Sequence, residues 1–143
     1  MKKLLLFISA IVTVASLHSC SSDSGSGQSL SFKVNGVQKS FRVVAEYANS
    51  KTYIYGYIGN GVNPTEVVEF NMQVGDTTNP VEDFSYHNNE SNDNGTATVI
   101  SNVTSNTSNK AEGTFSGTII PSGGGEAIII SDGKFSVTPK FAG

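Results

Sequence analysis

Residues that carry metal and redox chemistry are almost missing from this chain. It has one cysteine, Cys20, and two histidines, His18 and His87, in 143 residues. A multi-Cys or multi-His zinc site cannot be assembled from that set within one chain. Tryptophan is absent, which removes the largest aromatic face available for stacking on a sugar. No stretch shows helical periodicity, and no internal repeat is visible. There is also no basic cluster, and acids outnumber bases by twelve to nine. That balance argues against a nucleic-acid partner and against adhesion to anionic lipid through surface charge.

What is present begins at the N-terminus. Lys2 and Lys3 precede an apolar run from Leu4 to Ala15, too short for a stable bilayer span. Leu17-His18-Ser19-Cys20 follows, with a small residue just before the cysteine. This segment resembles a bacterial lipobox, in which the thiol is acylated and the signal is cut before the cysteine. The resemblance implies a signal peptide over residues 1–19, a lipidated Cys20 and anchoring in the outer membrane. A lone exported thiol without such a use would be a reactive liability. Two or more acyl chains hold a protein stably where one does not.

Removal of the signal leaves seven bases against twelve acids, a formal charge of −5, and His87 as the one histidine. Residues 20–29 form a tether rich in Ser and Gly, with no apolar side chain before Ser29 to bury. Its r.m.s. reach is about 15–18 Å, enough to lift a domain just clear of the headgroups. Ser21-Ser22-Asp23 looks like the region that helps direct Bacteroidetes lipoproteins to the cell surface. With Asp23 as its one acid, the periplasmic and surface faces both stay open.

Residues 30–143 read as one all-β domain. Runs rich in Val, Ile, Thr, Tyr and Phe are separated by Gly, Asn, Asp and Pro. Strands are expected at Leu30 to Val34, Phe41 to Tyr47, Thr52 to Ile58, Glu66 to Val74 and Thr96 to Val103. Further strands are expected at Ala111 to Ile120, Glu126 to Ser131 and Lys134 to Thr138. Val68, Phe70 and Met72 alternate with Glu69, Asn71 and Gln73, which predicts the first set inward and the second outward. Asn35-Gly36 and Asp132-Gly133 are expected hairpin turns. Thr104 to Asn109 reads as a polar turn. Gly75 to Gly95 reads as a long loop with one short strand near Phe84. The architecture expected is an antiparallel β-sandwich of eight or nine short strands, with a small lipocalin-like closed barrel as the alternative.

Phe32 to Gly36, Gly113 to Thr118, Ile128 to Ile130 and Asp132 to Val137 resemble segments of small Bacteroidetes lipoproteins that carry a domain of unknown function. The resemblance implies an all-β lipoprotein of the outer membrane and assigns no functional residue. Read physically, Phe115 and Phe135 are expected core plugs, each worth roughly 1.5–3 kcal/mol when buried.

Several constellations could carry chemistry. A hydrolytic triad would need His87, with Asp83 beside it in a polar loop, where solvated histidines are common. Glu90, Asn92 and Asn94 with Gly95 partly imitate a calcium loop, but position twelve is Ser101 rather than a bidentate acid, so only weak calcium affinity is expected. Tyr53, Tyr55 and Tyr57 project from one face of one strand, as core or cross-strand ladder, or as a stacking surface for glycan. Asp76-Thr77-Thr78 matches a short O-glycosylation acceptor pattern of Bacteroidetes, with Thr77 as the acceptor. No pair of catalytic groups at a telling spacing emerges, and no cofactor is implied. The expectation is a non-enzymatic binding or structural accessory, whose partners are the membrane and either a glycan or another envelope protein. The alternatives are a glycan-binding module and a carrier of an apolar ligand. Tyrosine rings exposed over a groove would favour the glycan, and a deep cavity the carrier.

Overall fold

Asn35 and Gly36 both take positive φ, 48° and 83°. Such a pair makes a tight type I′ turn, whose twist matches that of the strands it joins. It links β1 (Ser29–Val34) to β2 (Val37–Ala48). A computed structural model of the chain describes residues 27–88 and 95–142. The remaining strands are β3 (Lys51–Gly59), β4 (Pro64–Gln73), β5 (Glu82–Asn88), β6 (Thr96–Thr107), β7 (Lys110–Ile120), β8 (Ile128–Val137) and β9 (Lys140–Phe141). No described helix is long and apolar enough to cross a membrane.

The strands follow one hydrogen-bonded path, β5-β4-β3-β2-β1-β8-β7-β6, antiparallel throughout, with β9 added parallel to β2. β2 carries the sheet around the molecule. Its first part, Val37 to Phe41, pairs with β1, and its second, Arg42 to Ala48, pairs with β3. The all-β antiparallel expectation is thereby met, as a single sheet nearly closed into a barrel, between the sandwich and the closed alternative. Near-closure at one end is made by the segment before β5. Gly75 N–H donates to Asn106 O, Asn106 Nδ2 donates to Gln73 O and Asp76 O, and Asn79 Oδ1 accepts from Ser101 N–H. Thr78 and Asn102 form a single bridge there.

The interior is aromatic. Phe32 stacks on Phe41 at 4.7 Å between ring centroids and meets Tyr86 edge-on at 5.8 Å. Phe70 contacts Phe84, Phe115 and Phe135 at 5.5–5.9 Å. Offset and edge-on pairs of this kind add about 0.5–1.5 kcal/mol beyond simple burial. Phe115 and Phe135 are buried, as expected of core plugs. Gly56 belongs to the same interior, where a Cβ would lie 2.6 Å from Leu30 Cδ2 and 2.8 Å from Val68 Cγ1, so no larger residue fits without movement.

Five local expectations need correction. Asp132-Gly133 is not a hairpin. β8 runs straight through it and carries one residue more than both neighbours there, a bulge with Asp132 at φ 52°. A turn and a bulge both need positive φ, so they share one sequence signature. The polar stretch Thr104 to Asn109 is mostly strand, because β6 continues to Thr107 and turns at Ser108-Asn109. His87 lies not in a loop but within β5, opposite Val67. Asn71 is outward by phase yet only 7% exposed, because neighbouring side chains cover it. The first strand starts at Ser29, one residue before the expected Leu30, since Ser29 already pairs with Ser136.

Candidate outer-face binding site

The outer face of β2–β5 follows from the inner one. β4 buries Val68, Phe70 and Met72, as its alternation predicts, and leaves Glu69 and Gln73 exposed. Residues directly opposed across antiparallel strands share a face. Thr52, Ile54 and Gly56 of β3 oppose Met72, Phe70 and Val68 and are buried with them. Tyr53, Tyr55 and Tyr57 therefore point outward, which corrects the core reading of these rings. Tyr53 is 42% exposed. The Tyr55 and Tyr57 rings lie 5.8 Å apart, tilted by 36°.

Cross-strand register arranges this face in rows. Glu46, Tyr53 and Asn71 form one, Val44, Tyr55 and Glu69 the next, and Arg42, Tyr57 and Val67 the third. The first two rows border an open depression of about 490 Å³, with Asp83 at its β5 side and Ile54 and Phe70 beneath. That size falls within the roughly 300–1,000 Å³ typical of small-molecule sites. Asp83 takes φ 50° in a bulge of β5, where Asp83 and Phe84 together oppose Phe70 of β4. Its Oδ2 accepts from Asn71 Nδ2 at 2.8 Å, while Asn71 Oδ1 accepts from Lys51 Nζ at 3.1 Å. Lys51 also pairs with Glu82 at 2.9 Å, and this hydrogen bond raises the ammonium pKa above its ordinary value.

These groups offer the means to recognise a ligand. Ring faces stack against apolar sugar faces, and carboxylates accept hydrogen bonds from hydroxyls. Asp83 and His87 are separated by about 10–13 Å along β5 at the usual strand rise, out of hydrogen-bond reach. The described residues hold no group of three or more His, Cys, Asp or Glu placed to bind a metal. Thr77 is exposed beside a turn in which Thr78 N–H donates to Asp76 Oδ1. Cys20, Glu90, Asn92 and Asn94 lie outside the described residues.

A second polar group was not anticipated. Lys39, Glu66 and Tyr86 share the phase of the inward residues Phe41, Val68 and Phe84. Lys39 Nζ and Tyr86 OH both donate to Glu66, each at 2.6 Å. Burial, and then the bond to Glu66, push the Tyr86 phenol well above its ordinary pKa. The available signal was a charge in phase with an apolar row on two strands at once, which calls for an internal pair.

Compared with family models, curated proteins and solved structures, the chain matches none.

Proposed function

We propose that this protein is a non-enzymatic, lipid-anchored binding module of the bacterial outer membrane, and that its ligand is a saccharide held on the outer face of β2–β5. The observation that carries this reading is the outward row Tyr53, Tyr55 and Tyr57 beside the depression of about 490 Å³. An apolar carrier is less well supported, because aromatic rings pack the interior where its ligand would sit. Cys20 supplies the tether, and the lipobox-like segment supports that part.

Two experiments test the two halves. Cys20→Ala should move the protein from the detergent phase to the aqueous phase on cell fractionation. Retention with the membrane would refute the anchor. For the face, a panel of neutral oligosaccharides is titrated against the full chain and against Tyr53→Ala and Tyr55→Ala. Loss of one stacking ring should weaken binding about fivefold, the equivalent of about 1 kcal/mol. Unchanged affinity in both variants would remove the tyrosine face from the proposal.

A further inference from the structure

The depression is charged in one sense only. Its lining includes the carboxylates of Glu46, Glu69 and Asp83 and no cationic side chain. The described residues contain four ion pairs, and none of them uses these three acids. Lys51, beside the site, bonds to Glu82 and Asn71, and its charge also attracts Asp83, which leaves Glu46 and Glu69 as the acids with no such cation against them among the four ion pairs. Lys140 of β9 stands opposite Glu46 at the edge, and Arg42 lies in the row beyond Val44. Tyr53 and Tyr55 place two aromatic rings among the acids.

A neutral hexose would use the rings and leave the unpaired carboxylates of the lining without a charged partner in the ligand. A ligand bearing an ammonium group would use both, through attraction to the ring faces within about 6 Å and to the surrounding carboxylates. The geometry points to an amine-bearing saccharide, a sugar unit with a free, protonated amino group, as the ligand of this site. This rests on the tyrosine-face reading above and names its ligand class. Charge complementarity makes the choice, since an acetylated amine offers the same ring shape without the charge.

The test uses the full chain in detergent micelles at about pH 5.5, where carboxylates are ionised and sugar amines protonated. Glucosamine oligomers, N-acetylglucosamine oligomers of the same length, and spermidine are titrated separately. The glucosamine oligomer should bind about tenfold more tightly than its acetylated counterpart, and high salt should erase most of that margin. Glu69→Gln and Glu46→Gln should each cut the margin several-fold, whereas Tyr55→Ala should weaken both oligomers. Equal binding of the two oligomers would overturn the amine inference and leave the saccharide reading standing. Spermidine binding as tightly as the glucosamine oligomer would overturn the saccharide reading, because an amine without a sugar ring would then account for all of the binding. A margin unaffected by either glutamate substitution would place the amine elsewhere and sink the assignment.

Discussion

The two surfaces of the β3–β4 ribbon are built from the same backbone and do opposite work. Inside, Ile54 faces Phe70, Gly56 faces Val68 and Thr52 faces Met72, and all six are buried. Outside, Tyr55 faces Glu69 and Tyr53 faces Asn71, around an open depression. The inner pairs are apolar apart from the Thr52 hydroxyl and are space-limited, so each side chain is constrained by its neighbours. The outer pairs join aromatic rings to acids and an amide, the groups on which the proposed ligand site rests. The difference teaches that aromatic content alone does not mark the core of this fold. Phenylalanine fills the interior, while four of the five tyrosines lie outside the buried set and only Tyr86 lies within it.

The sharpest way to break this comparison is to truncate one ring on each surface. Phe70→Ala is expected to cost about 3–5 kcal/mol, since it opens a cavity among Phe84, Phe115 and Phe135. Tyr55→Ala should change stability by no more than about 0.5 kcal/mol while weakening the ligand. Denaturant titration of both variants checks this. Similar losses in the two would mean that the outer rings hold the fold rather than a ligand.

Much of the inner surface was legible from sequence. The alternation in β4 is unambiguous, and the burial of Val68, Phe70 and Met72 follows it. β3 alone was ambiguous, because tyrosine is amphipathic and either alternate row of that strand could be buried. Pairing resolves it. Once Tyr55 is set opposite Glu69, all three tyrosines must share the acid's face. That register depends on the β3–β4 loop, where Asn60 Oδ1 accepts from Val62 N–H and Asn63 N–H, a local Asx arrangement that periodicity does not report. The contribution of Glu46 and Asp83 was not legible at all. One comes from a neighbouring strand and the other from a bulge, so only the assembled sheet brings them together.

A smaller effect tests the inner surface where it turns polar. Tyr86→Phe deletes the hydroxyl that donates to Glu66 and should cost about 1.5 kcal/mol at neutral pH, the range for a hydrogen bond to a charged group. The effect has a defined pH dependence. The phenol ionises near its ordinary 10.0 in the unfolded chain but resists ionisation when folded, through burial and then the bond to Glu66. The folded state therefore holds the proton more tightly, and its stabilisation is complete below about pH 10 and declines as pH rises beyond that. Melting curves should show the parent losing stability above pH 10 faster than Tyr86→Phe does. Parallel declines would mean that the phenol is not shielded and that this part of the interior is wet.

The smallest effect concerns Asn71, the residue that blurs the division between the two surfaces. Its phase is outward, yet it is buried beneath Lys51 and Asp83 and bonded to both. If the amide serves mainly to position Asp83 at the rim, its removal should harm binding more than stability. Asn71→Ala is expected to cost about 1 kcal/mol, the net value of an ordinary hydrogen bond, because both partners can turn to water once released. Asn71→Asp keeps the shape but replaces the donor facing Asp83 with a second carboxylate, and like charges at such range repel. The aspartate variant should therefore be less stable than the alanine variant near neutral pH and recover as the pH falls toward the carboxylate range near 4. An aspartate variant as stable as the parent across that range would show that Asp83 is not held by the amide, and the acidic side of the depression would lose its positioning residue.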